Sequence, residues 1–106
     1  MRTIELSPKA ERSLDEILAY SREKFGNPRA KRYAKALMDR CRMVAKGHLP
    51  HRPCRTFFAH DLREELRFVR AGQHFVIFVE TAGRLVIVDF LHQSADIGNR
   101  LGAPTE

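Results

Sequence analysis

Long apolar runs, metal-ligand spacings and phosphate-cradling glycine motifs are all missing from this sequence, and each absence removes a class of function. No apolar stretch approaches the roughly 20 residues that a membrane-spanning helix needs. The opening residues, Met1-Arg2-Thr3-Ile4-Glu5, place a carboxylate where a secretory leader would carry its apolar stretch, so a cytoplasmic protein without a membrane partner is expected. Cys41 and Cys54 are the only cysteines, without the paired close spacing of a zinc site, and a reducing compartment disfavours joining them. Both read as small apolar filler, and neither a metal nor a cofactor is expected. The Lys/Arg-glycine-aromatic signature of RNA-binding sheets is absent, as are internal repeats, linkers and low-complexity tracts. A chain of 106 residues is expected to form one domain, 1–106, around a single small core.

Charge is present in excess, and its position is informative. The net charge is +6 with a pI near 9.9, which favours an acidic partner or a polyanion. Residues 1–6 and 7–25 each sum to zero, 47–72 carry +2 and 73–106 carry −2. Residues 28–46 set seven Lys/Arg against Asp39 alone and hold +6. The basicity belongs to one element.

The patterning gives the elements in order. Thr3-Ile4-Glu5-Leu6 alternates polar and apolar, as a strand with one buried face does. Ser7-Pro8 reads as a helix cap followed by proline at the first helical position. Ala10, Leu14, Ile17, Leu18 and Phe25 then form one apolar stripe that stops at Gly26. Asn27-Pro28 repeats the start signal, and Ala30, Tyr33, Ala34, Leu37, Met38, Cys41 and Val44 form a second stripe. Two amphipathic helices joined by about two residues must be antiparallel. On the second helix Arg32, Lys35, Arg42 and Lys46 lie opposite the stripe, with Arg29, Lys31 and Arg40 on its flanks. This basic face is either a solvated surface or a contact surface.

Residues 47–63 read as a loop with a short turn around Phe57-Phe58. Leu66–Val69, His74–Val79 and Leu85–Leu91 follow as strands joined by glycine-containing turns, an antiparallel meander. The central run, Phe75-Val76-Ile77-Phe78-Val79, is apolar on both faces. One face covers the helical hairpin; the other needs cover from a loop, the C-terminal segment or a partner. The expected fold is α+β, ordered β-α-α-β-β-β, with the hairpin packed on a small twisted, mainly antiparallel sheet of three or four strands.

Three stretches resemble a known family. Leu6-Ser7-Pro8-Lys9-Ala10 with Leu14-Asp15-Glu16-Ile17 is similar to the opening of ParE-type plasmid-stabilisation toxins. Leu66 to Phe78, with its Arg70-Ala71-Gly72-Gln73-His74 turn, resembles their middle strands. Val88-Asp89-Phe90-Leu91-His92-Gln93-Ser94-Ala95-Asp96-Ile97 is similar to their last strand and the Leu-His-x-x-x-Asp segment after it. The chain departs from the family pattern at Val79, where a tyrosine is common, and at Pro50-His51-Arg52-Pro53, where a glycine-arginine-proline turn is usual. The resemblance implies the toxin of a type II toxin–antitoxin system with the ParE/RelE fold. Its partner would be an acidic, ParD-like antitoxin, a DNA-binding dimer whose tail folds on the toxin and forms a hetero-oligomer with it. That tail would lay a helix beside the hairpin or add a strand to the sheet.

Within that superfamily two modes of action compete. ParE-like members act on DNA gyrase without being nucleases, whereas RelE-like members cleave messenger RNA on the ribosome. RNA cleavage without metal needs a base, an acid and cations around the phosphate. The candidates would be His92, Arg67, Arg70, His60 and Arg63. His92 reads first as a histidine that hydrogen-bonds the turn ending the sheet, and Arg67 and Arg70 as exposed strand residues. Beyond Asp89 the only cation is Arg100, with no tyrosine or tryptophan, so a non-enzymatic, gyrase-binding toxin is expected. Its target-binding candidates are His92, Gln93, Asp96, Arg100 and Leu101. A plain nucleic-acid-binding module is the third reading, supported by the basic helix alone.

Overall fold

A computed structural model describes residues 2–102. Strand β1 (Thr3–Leu6) leads into helix α1 (Pro8–Phe25) through Ser7, whose Oγ accepts the Ala10 N–H at 3.0 Å. The same hydroxyl donates to the Val88 carbonyl at 2.7 Å, so one serine both caps the helix and ties it to the sheet. Helix α2 (Asn27–Ala45) follows after Gly26 alone. The expected Asn27 cap is not used: Asn27 already lies in the helix, and Gly26, at φ 87°, ends one helix and begins the next. Its N–H bonds the Arg22 carbonyl at 2.9 Å and its carbonyl accepts from Ala30 at 3.1 Å. Glycine alone adopts that backbone angle without cost, which is why one residue suffices for the reversal.

The segment expected as a loop contains a two-residue strand β2 (Arg52–Pro53) and a one-turn helix α3 (Cys54–Phe57). Strands β3 (Arg67–Ala71), β4 (His74–Thr81) and β5 (Arg84–His92) form the meander, and a short helix α4 (Ile97–Gly102) ends the described chain. The sheet has five strands in the order β1-β5-β4-β3-β2. All neighbours are antiparallel except β1 and β5, which run parallel with Thr3 opposite Arg84. The expected three or four strands become five because β2 is too short to show a period.

Both faces of β4 are buried, as the apolar run requires, so two apolar clusters replace the single core expected. Val76 and Phe78 join Leu37, Cys41 and Val44 beneath the hairpin. Ile77 joins Cys54, Leu62, Leu66, Phe68, Leu91 and Ile97 on the opposite face. The cover there comes from the 54–66 segment and α4. Both thiols are buried, and burial pushes Cys41 and Cys54 up to about 12, so they stay protonated and act as apolar filler.

A bulge in β5 interrupts the ladder: Ile77 pairs with Asp89, while Phe78 pairs with Ile87. It leaves Asp89 only 1% exposed, yet satisfied. Its carboxylate accepts from Ser13 Oγ at 2.5 Å and from the Phe90 N–H at 2.8 Å, with Lys9 Nζ at 3.7 Å. A buried carboxylate is tolerable only with such partners. No helix among the described residues is long and apolar enough to cross a membrane.

Candidate functional site

A groove of about 640 Å³ runs along α1 and the start of α2, over the ends of β4 and β5, to α4. Ile17, Tyr20, Phe25 and Phe90 give it an apolar wall, and Arg29, His74, His92 and Arg100 give it polar groups. Tyr20 and Phe25 are more than half exposed, at 57% and 55%, which is unusual for rings on a short domain's surface. Arg29 lies over the Phe25 ring at 4.5 Å and Lys24 over Tyr20 at 5.8 Å. These are cation–π contacts that hold the rings at the rim.

Tyr33 builds the floor. Its ring lies on the β3–β4 turn, where Gly72 has φ 60° and an added Cβ would fall 2.7 Å from the ring. The turn therefore needs glycine twice over, for its backbone angle and for the approach of the tyrosine. Tyr33 Oη accepts the Gln73 N–H at 3.0 Å and lies 2.6 Å from His74 Nδ1. Burial raises the phenol's pKa, and burial followed by the nearby His92 lowers that of His74 to about 4. The His74 and His92 rings stand edge to face with centroids 5.2 Å apart. His92 Nδ1 bonds the Ser94 hydroxyl at 2.7 Å and accepts the Ser94 N–H at 3.0 Å.

The five residues of the nucleolytic set do not converge. His92 and Arg70 share one end of the sheet, where Arg70 donates to Gln93 Oε1 at 2.5 Å and to the Gly72 carbonyl at 3.0 Å. Arg67 lies at the other end of β3, half-buried, donating to His51 Nδ1 at 2.5 Å and to the His51 carbonyl at 3.1 Å. It was expected as an exposed strand residue. The difference comes from the loop before it, which folds His51 onto the sheet between Arg67 and Glu80. Burial lowers the pKa of His51, further depressed by Arg67 and Arg2 against the opposing pull of Glu80. Arg63 is paired with Glu65 at 2.5 Å, and the His60 carbonyl accepts from Arg55 at 3.0 Å.

The target-binding candidates divide. His92 and Arg100 line the groove, and Gln93 sits at its edge, bonded to the Gln73 carbonyl through its own N–H at 2.9 Å. Asp96 turns to the start of α4, accepting from Asn99 Nδ2 at 2.7 Å, and Leu101 packs into the second apolar cluster. Arg32, Lys35 and Arg42 on α2, and Lys46 just past its end, are all exposed. Asp39 bridges Lys35 at 3.0 Å and Arg42 at 2.5 Å, and the Lys35 bond leads the lowering of its pKa. Arg32 and Lys46 have no carboxylate partner among the described residues. No group of three or more metal-ligating side chains occurs among them either.

Residues 4–97 match the family model described as the ParE toxin of type II toxin–antitoxin systems, parDE. The chain belongs to the ParE toxin family. It is 31% identical over 102 residues to Toxin ParE1 of Caulobacter vibrioides, covering 96% of this chain and 100% of that one. It is 29% identical over 97 residues to Toxin ParE of Escherichia coli, covering 91% and 89%. The solved structure of the chromosomal ParDE toxin–antitoxin system of P. aeruginosa superposes with a TM-score of 0.69 at 14% identity, over 87% of this chain and 96% of that one. That likeness shows the ParE fold, an α+β arrangement of helices on a mixed five-stranded sheet. Reading residues alone missed Tyr33 and His74 in this ParE chain. Tyr33 sits in an apolar stripe and His74 at a strand start, so neither stands out until the turn at Gly72 joins them.

Proposed function

We propose that this ParE-family chain is a cytoplasmic toxin that inhibits growth by binding DNA gyrase, without catalysing a reaction, and is silenced by a cognate acidic, ParD-like antitoxin. The whole chain, 1–106, acts as one unit and forms a hetero-oligomer with that antitoxin. What supports a binding mode over catalysis is the dispersal of the acid–base candidates. Arg67 and Arg63 are spent on structural partners, His60 lies in the 54–66 segment, and only Arg70 and His92 share a neighbourhood. Metal-free RNA cleavage needs base, acid and phosphate cations within hydrogen-bond reach of one another. The groove fits the antitoxin's role: exposed aromatics beside unpaired cations suit an acidic amphipathic segment. The antitoxin presumed by this reading would be DNA-binding and dimeric.

The RelE-like reading keeps one observation in its favour, the gathering of Arg70, His74 and His92 at one end of the sheet. One experiment separates the two. The chain is expressed with and without the antitoxin from its own operon, and gyrase supercoiling and transcript integrity are followed together. Loss of supercoiling with intact transcripts is expected. Codon-located cuts with unaffected supercoiling would overturn the gyrase reading.

A further inference from the structure

Tyr33, His74 and His92 gather at one end of the groove. Tyr33 Oη accepts the Gln73 N–H at 3.0 Å, and the nearer acceptor for its own single proton is His74 Nδ1 at 2.6 Å, with the Ala71 carbonyl farther away at 3.4 Å. That bond places the proton of the neutral His74 ring on Nε2. The ring is neutral at pH 7 because its pKa lies at about 4. His92 reaches the same tautomer by another route. The Ser94 N–H, 3.0 Å from Nδ1, can only donate, so Nδ1 holds a lone pair and Nε2 holds the proton. Metal ligation through the His92 Nε2 would break that bond, which argues against a cation here.

Two imidazole Nε2–H groups therefore line one groove, on rings whose centroids are 5.2 Å apart, and neither has an acceptor among the described residues. Arg29 and Arg100 line the same groove and have no carboxylate partner there, while Glu16 is its only lining carboxylate. The apolar wall of Tyr20, Phe25 and Phe90 continues from this donor cluster. We propose that this end of the groove is a carboxylate receptor, taking an Asp or Glu side chain from an amphipathic protein segment whose apolar residues lie against that wall. The partner's identity rests on the antitoxin reading above; the chemistry of the site does not. A single carboxylate suits two neutral donors with two cations lining the same groove. A nucleic-acid backbone would leave the aromatic wall without an apolar occupant.

Two measurements test this. In the first, the protein with 15N-labelled histidine is titrated with 4-phenylbutyrate and, separately, with 4-phenylbutyramide. The carboxylate is expected to shift the Nε2–H signals of His74 and His92, and the amide is not. An equal response to both, or none to either, overturns the receptor. In the second, every Asp and Glu of the operon's antitoxin is changed to its amide and binding is measured to the native toxin and to His92→Ala. One change should weaken binding about tenfold or more on the native toxin and about twofold or less on the variant. Equal losses on both, or no loss from any change, overturn the receptor and leave the antitoxin reading intact. An antitoxin that binds neither protein sinks the antitoxin reading instead, and the titration then decides the receptor. Circular dichroism of His92→Ala checks its fold, and His92→Gln, which keeps a donor, should recover part of the loss.

Discussion

At the scale of single residues, the burial of His74 beside His92 has a thermodynamic consequence. The native state holds His74 neutral down to about pH 4, whereas the unfolded chain protonates it near its ordinary 6.5. Below that ordinary value the unfolded state takes up a proton that the folded one refuses. Stability is therefore full above about pH 6.5 and declines as the pH falls toward 4. After solvent screening of a half-buried ring, the loss from this site is about 1–2 kcal/mol. Urea titrations at pH 7.5 and 4.5 should show His74→Gln losing less stability between the two than the native protein by that amount. Equal losses would mean the ring titrates as freely when folded as when unfolded. None of this was legible in the residue string, because a tyrosine at helical spacing and a histidine opening a strand have ordinary core and surface explanations. Only the contact across the chain, from residue 33 to residue 74, gives them a joint role.

At the scale of elements, what the sequence revealed and what it hid divide by range. The helices declared themselves because their signals are local: Ser7-Pro8 before one stripe, Gly26 between two. The meander did so because glycines at 72 and 83 separate runs rich in β-branched and aromatic residues. The parallel pairing of β1 with β5 stayed hidden because it joins Thr3 to Arg84, and the bulge at Val88 stayed hidden because an unbroken apolar run carries no mark of a register shift. Short β2, α3 and α4 are each too brief for a period to emerge, although the doubly apolar β4 already required something to cover its second face. Ser7 links the local and distant cases, as it caps α1 and holds the Val88 carbonyl. Ser7→Ala should lower the unfolding free energy by about 1–2 kcal/mol, combining a lost cap and an unsatisfied carbonyl. Ser7→Asp, able to cap but not to donate, should recover only part of that loss in a denaturant titration. Full recovery would show that the tie to the sheet contributes nothing.

At the scale of the whole molecule, the net charge of +6 is carried by residues 28–46, because the twelve Lys/Arg elsewhere are balanced in number by twelve Asp/Glu. Each Arg or Lys changed to Glu removes two charges, so Arg32→Glu, Lys35→Glu and Arg42→Glu together bring the net charge from +6 to zero. With an acidic antitoxin, the triple variant should associate at least about tenfold more slowly at low salt and lose most of its salt dependence, with dissociation little changed. Stopped-flow mixing across ionic strengths measures this, and an unaltered salt slope would place the steering elsewhere. The parallel pairing of the first strand with the last has a consequence in time. Thr3 finds its partner only once Arg84 has been made, and at about 5–20 residues per second translation leaves it waiting several seconds. A broken message yields a polypeptide whose outermost strand has nothing to zip against. A chain cut short before Arg84 cannot close its sheet, so the fold is finished only when nearly all of the described residues have been made.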